Sequence, residues 1–338
     1  MNVWAGYQRG VNFGGWFSQC YPSAERYDTF ITEADFQTVA QRWGCDHVRV
    51  PVDFILVEDQ QGAPKEEGLR RIGDCVALCR KYGLNMVLDL HAAYGYSFAS
   101  DGGFFKEEPL QERFYALWER FARRFGGDSD MLAFELLNEI TDPAFAAPWR
   151  EIAVRCIARI RRHAPDTKIL IGGHSYNSCT AVKELPPPPD KNIVYNFHNY
   201  DPKAFTHQGA FWMPELKDVR MPYIPGMRDM LDYAERVYPG STAEYAHIQT
   251  ETCGTEMFIQ LFSEAAETAE KYSVPLYCGE YGVIDKASPE DTLQWYRQIG
   301  GAFRALGIGR AAWSYRQMDF GLSDARMAPV IDQLVQYL

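Results

Sequence analysis

Short apolar runs alternate with amphipathic segments along nearly the whole chain. Each apolar run has the length and composition of a strand that is buried on both faces. We predict eight strands, at residues 9–13, 47–51, 86–90, 132–137, 168–171, 193–197, 275–278 and 310–313. The segments between them repeat apolar residues at helical spacing, as Leu69, Ile72, Val76 and Cys79 do within 66–82. Helices are predicted at 32–42, 66–82, 110–125, 149–163, 175–184, 258–272, 289–306 and 328–337.

Eight strands alternating with helices indicate a parallel sheet of the α/β class. At 338 residues, eight such units favour a closed (β/α)8 TIM barrel. A doubly wound sheet is disfavoured because no Gly-x-Gly-x-x-Gly motif follows the first strand. No linker divides the chain, so we predict one catalytic domain over 1–338. The long stretch at about 199–255 lacks a clear strand, and it predicts an insertion subdomain after strand 6 that acts as a lid or cleft wall.

Composition excludes several classes of partner. Acidic residues outnumber basic ones by 45 to 34, and the net charge of −11 argues against nucleic acids and anionic membranes, which select for clustered Lys and Arg. No apolar run is long enough to span a bilayer. Aromatic residues make up 14% of the chain, which suits a neutral, hydroxyl-rich ligand. We expect a monomer.

The cysteines and histidines do not indicate a metal or a cofactor. Eight cysteines are present without a Cys-x2-Cys pair, and the histidines lack His-x3-His spacing. The first ten residues lack a basic segment followed by an apolar core, as a signal peptide would have. We therefore expect a reduced, cytoplasmic protein, or a secreted one if a signal peptide has been removed.

Polar and aromatic side chains stand where the predicted strands end. In a barrel, the residues just past the carboxyl ends of the strands converge on one mouth. The residues in these positions are Arg49, His91, Asn138, Glu139, His198, Tyr200, Glu280 and Trp313. Two of them, Glu139 and Glu280, would form a pair of facing carboxylates.

Seven motifs carry a family resemblance. They are Arg-Gly-Val-Asn-Phe-Gly-Gly-Trp (9–16), His-Val-Arg-Val-Pro (47–51), Asp-Leu-His (89–91), Leu-Leu-Asn-Glu (136–139), Asn-Phe-His-Asn-Tyr (196–200), Cys-Gly-Glu-Tyr-Gly (278–282) and Ala-Trp-Ser-Tyr (312–315). In order and spacing they resemble glycoside hydrolase family 5, the cellulase family, and most of all its compact single-domain bacterial endoglucanases. One departure is Ile140, where many members of the family have proline after Asn-Glu.

The resemblance implies retaining hydrolysis of a β-glycosidic bond by two glutamates. Glu280 would be the nucleophile, kept ionised by Arg49 and Tyr200. Glu139 would be the acid and then the base, kept protonated by a drier site and by the charge of its partner. A retaining mechanism requires the two carboxyls to lie about 5–5.5 Å apart. Asn138 would bind the 2-hydroxyl of the sugar.

The remaining candidates would bind or orient the sugar. His91 and His198 would orient the sugar and the carboxylates, and Trp313 would stack on the sugar that is cleaved. Trp16 and Trp212 are candidate outer platforms, with His207 close to the base of the predicted insertion. The segment 173–177 is similar to a nucleophile elbow but lacks its second glycine, so we expect it to line or support the cleft.

Several activities share this set of residues. We favour cleavage of β-1,4-glucosidic bonds in soluble β-glucans or cello-oligosaccharides. A β-1,3-glucanase or a mannanase of the same family is the alternative, since these enzymes differ in the shape of the cleft. A non-catalytic glycan-binding protein is a further alternative, but it predicts the loss of a catalytic glutamate, and both glutamates are present.

Overall fold

The computed structural model describes residues 2–100 and 102–338, so Met1 and Asp101 of the predicted domain lie outside the described residues. Eight parallel strands pair in chain order and close into a barrel, in which the first strand contacts both the second and the last. The strands are β1 (Gly10–Asn12), β2 (His47–Asp53), β3 (Asn85–Ala92), β4 (Leu132–Glu135), β5 (Ile169–Gly172), β6 (Ile193–Asn199), β7 (Leu276–Tyr281) and β8 (Gly309–Ala312). The predicted (β/α)8 barrel is confirmed.

Helices pack their apolar faces against the strands. The right-handed α-helices are Ala24–Thr29, Glu33–Gln37, Phe54–Val57, Glu66–Tyr82, Glu108–Phe125, Ala146–Arg161, Lys203–Thr206, Met227–Val237, Thr255–Leu261, Ser263–Lys271, Pro289–Leu306 and Ile331–Leu334. The predicted bounds of the helices at 66–82 and 289–306 are confirmed.

The helix Glu66–Tyr82 illustrates why the longer predictions hold. Its four predicted apolar residues are all buried, and acidic residues occupy its first turn while Arg80 and Lys81 occupy its last. These charges complement the helix dipole. Gly83 ends the helix at φ 69°, in the left-handed conformation that a residue without a Cβ adopts at little cost.

The predicted helix at 175–184 is wrong in its first part. Ser175, Tyr176 and Asn177 all have positive φ, near 55°, so the chain makes a left-handed turn there, and a short 3-10 helix, Cys179–Glu184, follows. The Asn177 side chain stabilises the turn by accepting a hydrogen bond from the backbone N–H of Gly173 at 2.8 Å. Short polar side chains that bond to nearby backbone compete with helix formation in this way.

Three other predicted helices are less regular than expected. The segment predicted at 258–272 divides at Phe262 into two helices, and the last helix is a single α-helical turn followed by a 3-10 turn. The segment predicted at 32–42 begins as an α-helix with a capping box at Thr32 and continues as a π-helix. In each case the type of element is right and its regularity is overestimated.

Two layers of side chains fill the interior. Between strands and helices lies the large hydrophobic core. Inside the barrel, a smaller cluster includes Val87, Leu170, Tyr277 and, from the amino-terminal segment, the stacked rings of Trp4 and Tyr7. The rest of the barrel interior holds buried polar groups, among them Asn12, Arg49 and Glu135, and these groups support the site described below.

The segment between β6 and the helix Thr255–Leu261 is the longest connection in the described chain. It contains the helices Lys203–Thr206 and Met227–Val237 and a 3-10 turn at Ala243–Tyr245. No helix in the described part of the chain has a stretch long and apolar enough to span a membrane. All eight cysteines are free thiols.

Candidate active site

A cleft of about 740 Å³ opens at the carboxyl ends of the barrel strands. Eight of the residues selected from the sequence line it: Asn138, Glu139, His198, Tyr200, His207, Trp212, Glu280 and Trp313. Arg49 and His91 lie behind this surface, fully buried, and contact the lining residues. The structure therefore brings together ten of the eleven residues selected from the sequence.

Glu139 and Glu280 face each other across the cleft, with His198 between them. One oxygen of each carboxylate and one His198 ring nitrogen all lie within 4.8 Å of one another. This spacing is that of retaining glycosidases and is too short for the water that inverting enzymes place between their carboxyls. Three such donors could also hold a cation, but the Arg49 guanidinium beside Glu280 opposes one electrostatically.

Glu280 is held by donors on both of its oxygens. Arg49 Nη1 donates to Oε1 and the Tyr200 hydroxyl donates to Oε2, each at 2.8 Å. Burial opposes ionisation of this carboxyl, but the charges of His198, Arg49 and His91 outweigh burial and lower its pKa to about 2. Glu280 is therefore an anion throughout the neutral range, as a nucleophile must be.

Arg49 is the hub of a buried polar network. Its guanidinium donates to both oxygens of Glu135 at 2.7 and 2.8 Å, to Asn12 at 2.9 Å and to Asn138 at 2.9 Å. Asp89 lies 3.0 Å from the same group. Five N–H donors in a fixed plane are what Arg offers and Lys does not. Arg49 thus fixes the Glu280 carboxylate and the amide of Asn138 to one rigid support.

Glu135, Asn12 and Asn196 were not selected from the sequence. Asn196 donates to Glu135 at 2.8 Å and accepts from the backbone N–H of Gly279, which precedes Glu280, at 3.0 Å. Burial raises the pKa of Glu135, although Arg49 opposes the shift. The sequence did contain a signal for Glu135, which is a carboxylate inside the apolar run 132–137. A charged group buried in this way requires a hydrogen-bonding or charged partner.

Glu139 has fewer contacts than Glu280. β4 ends at Glu135, and three further residues carry the chain to Glu139, whose φ of 29° is unusual for a residue with a side chain. The Tyr96 hydroxyl donates to its backbone carbonyl, which supports this conformation. Its carboxylate contacts His198 Nδ1 at 2.9 Å, and its side chain is 14% exposed against 6% for Glu280.

Trp313 forms part of the cleft wall next to His91. The two rings stack with centroids 5.8 Å apart and planes 9° from parallel. His91 Nδ1 contacts Asp89 at 2.7 Å, and its other ring nitrogen lies 2.6 Å from the amide nitrogen of Gln19, a cleft residue that was also missed. Gly14 packs against Trp313 so closely that a Cβ there would lie 2.7 Å from the indole.

Of the outer aromatic residues, Trp212 lines the cleft and Trp16 does not. The Trp16 side chain is 5% exposed, stacks on Phe17 with centroids 4.0 Å apart and donates its indole N–H to the Tyr27 carbonyl. The prediction that Trp16 is an outer sugar platform is therefore wrong, because the Gly-Gly-Trp loop turns this ring into the core. Trp212 is 43% exposed.

His207 lies between Tyr200 and Trp212, and it contacts both rings edge-on. Burial and the nearby Lys203 ammonium lower its pKa to about 3, so its imidazole is neutral. The same wall of the cleft includes Tyr176 on the left-handed turn and Lys203 and Glu244 from the segment after β6. The sequence predicted that the segments containing these residues would line the cleft, but it singled out none of the three.

Comparisons with known proteins agree with this geometry. The chain matches the family model "Cellulase (glycosyl hydrolase family 5)" over residues 7–319. It is 47% identical to cellodextrinase A of Ruminococcus flavefaciens, over 89% of this chain and 83% of that protein. It is 36% identical to endoglucanase C of Acetivibrio thermocellus, over 98% of each. The solved structure of an endoglucanase from Thermotoga maritima superimposes with a TM-score of 0.78 at 23% identity, covering 98% of this chain and 97% of that one.

Proposed function

The chain belongs to glycosyl hydrolase family 5, the cellulase family, and is a glycoside hydrolase; from that premise we propose that it cleaves β-1,4-glucosidic bonds in cello-oligosaccharides and soluble β-glucans with retention of configuration. The observation that carries this proposal is the pair Glu139 and Glu280, whose oxygens approach within 4.8 Å.

In the first step, a Glu280 oxygen attacks the anomeric carbon while Glu139 gives its proton to the glycosidic oxygen. The bond from the anomeric carbon to that oxygen breaks, and the leaving sugar departs as an alcohol. The pKa of about 2 supports Glu280 in this role, since it keeps the carboxylate ionised in the pocket. Arg49 and Tyr200 position its two oxygens.

In the second step, Glu139, now ionised, takes a proton from water as the water oxygen attacks the anomeric carbon from the face opposite Glu280. The bond from that carbon to Glu280 breaks, which releases the sugar and the free carboxylate. Two inversions restore the β configuration. The contact with His198 occupies one oxygen of Glu139 and leaves the second oxygen open to the cleft. That oxygen can contact the glycosidic oxygen in the first step and the water in the second. Asn138, fixed by Arg49, is placed to bind the 2-hydroxyl.

The preference for short or soluble substrates rests on the relatives. A protein named cellodextrinase is 47% identical to this chain, and one named endoglucanase matches 98% of its length. We propose that 1–338 is a single catalytic domain that acts as a monomer, and that the segment at about 199–255 forms one wall of the cleft. The cleft residues Lys203, Trp212 and Glu244 from that segment support the last point.

A product profile tests the linkage preference. Cello-oligosaccharides, soluble mixed-linkage glucan, laminarin, mannan and crystalline cellulose are each incubated with equal enzyme, and the products are separated by chromatography. We expect the cello-oligosaccharides and mixed-linkage glucan to be cut fastest and crystalline cellulose slowest. Cleavage of laminarin or mannan without cleavage of any β-1,4-glucosyl substrate would reassign the enzyme to one of the alternative activities.

A further inference from the structure

The mouth of the cleft has two sides that differ in origin. On one side lie Trp313 and His91, from β8 and β3. On the other side lie the turn after β5 and the segment after β6, with Lys203 and Glu244. We take Trp313, a cleft residue, to stack on the sugar bound at Glu280. The sugar that leaves with the proton of Glu139 then extends toward the second side.

Lys203 and Glu244 line this second side without a partner of their own. Both are partly buried, and the described residues offer neither the ammonium nor the Glu244 carboxylate a hydrogen bond or an ion pair. Asp201, which also lines the cleft, is different, because the Tyr245 hydroxyl donates to it at 2.8 Å. Polar groups that are partly removed from water and unpaired lose free energy unless a ligand bonds to them.

The two side chains nevertheless interact electrostatically with each other and with Asp201: Asp201 and burial raise the pKa of Glu244, and Lys203 opposes that shift. Burial lowers the pKa of Lys203, but Asp201 and Glu244 outweigh burial and raise it, and Glu139 contributes in the same direction. Lys203 is therefore a cation that lines the cleft together with the acidic residues Asp201 and Glu244.

We propose that Lys203 and Glu244 form a hydroxyl-binding pair for the leaving-group sugar and set the preference of the enzyme for oligosaccharide leaving groups. The ammonium donates to one sugar hydroxyl, and the same or an adjacent hydroxyl donates to the Glu244 carboxylate. A sugar diol presents both a donor and an acceptor, so it satisfies both side chains at once. This inference rests on the proposed function, since it takes the leaving group to be a sugar.

The test compares two substrates that differ in the leaving group. Cellotetraose leaves a sugar in this part of the cleft, whereas 4-nitrophenyl β-cellobioside leaves a nitrophenolate without hydroxyls. We expect Lys203→Met to lower kcat/KM for cellotetraose about tenfold, the size of one hydrogen bond to a charged group, and to leave the aryl substrate within about twofold. Lys203→Arg keeps a donor and should recover part of the loss. Glu244→Ala should show the same pattern as Lys203→Met.

Lys217→Met is the matched control, because Lys217 is exposed in the same segment and does not line the cleft. It should leave both substrates unchanged. Equal losses on both substrates, or an unchanged rate on cellotetraose, would overturn the proposal. If Lys203→Met does not fold, Glu244→Ala decides by the same criterion. A wild-type enzyme that cleaves neither substrate would instead overturn the proposed function.

Discussion

The two carboxylates at the centre of the cleft have the same chemistry and unlike surroundings. Glu280 accepts from Arg49 and Tyr200, and Arg49 is itself fixed by Glu135 and Asn12. Glu139 stands beyond the end of its strand, and among the described residues its carboxylate makes one hydrogen bond, to His198. The difference lies in what surrounds each residue: the charged network inside the barrel holds Glu280 as an anion, whereas the Glu139 carboxylate lies outside that network and contacts His198.

The comparison also explains why the polar interior is tolerated. Placing Arg49, Asp89 and Glu135 in a barrel costs desolvation energy that ion pairs only partly return. An apolar interior would fill the same space with less cost. The network instead fixes Glu280 and Asn138 to the same guanidinium, so their positions relative to each other do not depend on flexible loops.

Removing the nucleophile should have the largest effect. We expect Glu280→Ala to lower kcat on cellotetraose by on the order of 10⁵-fold, as loss of other covalent nucleophiles does. Azide should restore part of the activity by attacking the anomeric carbon from the vacated side, and the glycosyl azide should have the α configuration. Wild-type rates in Glu280→Ala would contradict the assignment.

Removing the proton donor should separate substrates by leaving group. Glu139→Ala should lower kcat on cellotetraose by about 10³-fold, within the range of general acid catalysis. An aryl cellobioside with an acidic phenol needs no proton to leave, so its glycosylation step should be much less affected. Steady-state and burst kinetics on both substrates measure the difference. Similar losses in the first step for both would show that Glu139 does not act as the acid.

Weakening one donor to the nucleophile should have the smallest effect and a visible pH signature. Tyr200→Phe removes the hydrogen bond to Glu280, and kcat/KM should fall about tenfold. Because that bond stabilises the ionised form, its loss raises the Glu280 pKa from about 2. Activity requires the anion and is lost as pH falls through that pKa, so the acid limb of the kcat/KM profile should move to higher pH.

Tyr115→Phe is the control for this variant. Its hydroxyl is buried on the helix Glu108–Phe125 and has no hydrogen-bond partner among the described residues. The control should reproduce the wild-type rate and pH profile. An unchanged acid limb in Tyr200→Phe would show that the tyrosine does not stabilise the ionised nucleophile.

Sequence reasoning reached the barrel because hydrophobic alternation directly reflects burial on both faces of parallel strands. It also reached Glu139 and Glu280, because residues at strand ends converge whatever the loops do. It did not identify Glu135 as the partner of Arg49, since a pairing across three strands leaves no local pattern. It also did not predict that the Trp16 side chain points into the core, because that depends on how the Gly-Gly-Trp loop folds. Lys203 and Glu244 lie in a segment without periodicity, so only the folded chain brings them together.

The most direct test of the difference between the two glutamates is to trap the intermediate. A 2,4-dinitrophenyl 2-deoxy-2-fluoro-β-cellobioside reacts quickly in the first step, because its phenol leaves readily. Its fluorine slows the second step, so the glycosyl-enzyme accumulates. Mass spectrometry of the digested protein should find one sugar adduct, on the peptide that contains Glu280. An adduct on Glu139, or an active enzyme that forms no adduct and releases inverted product, would contradict the account.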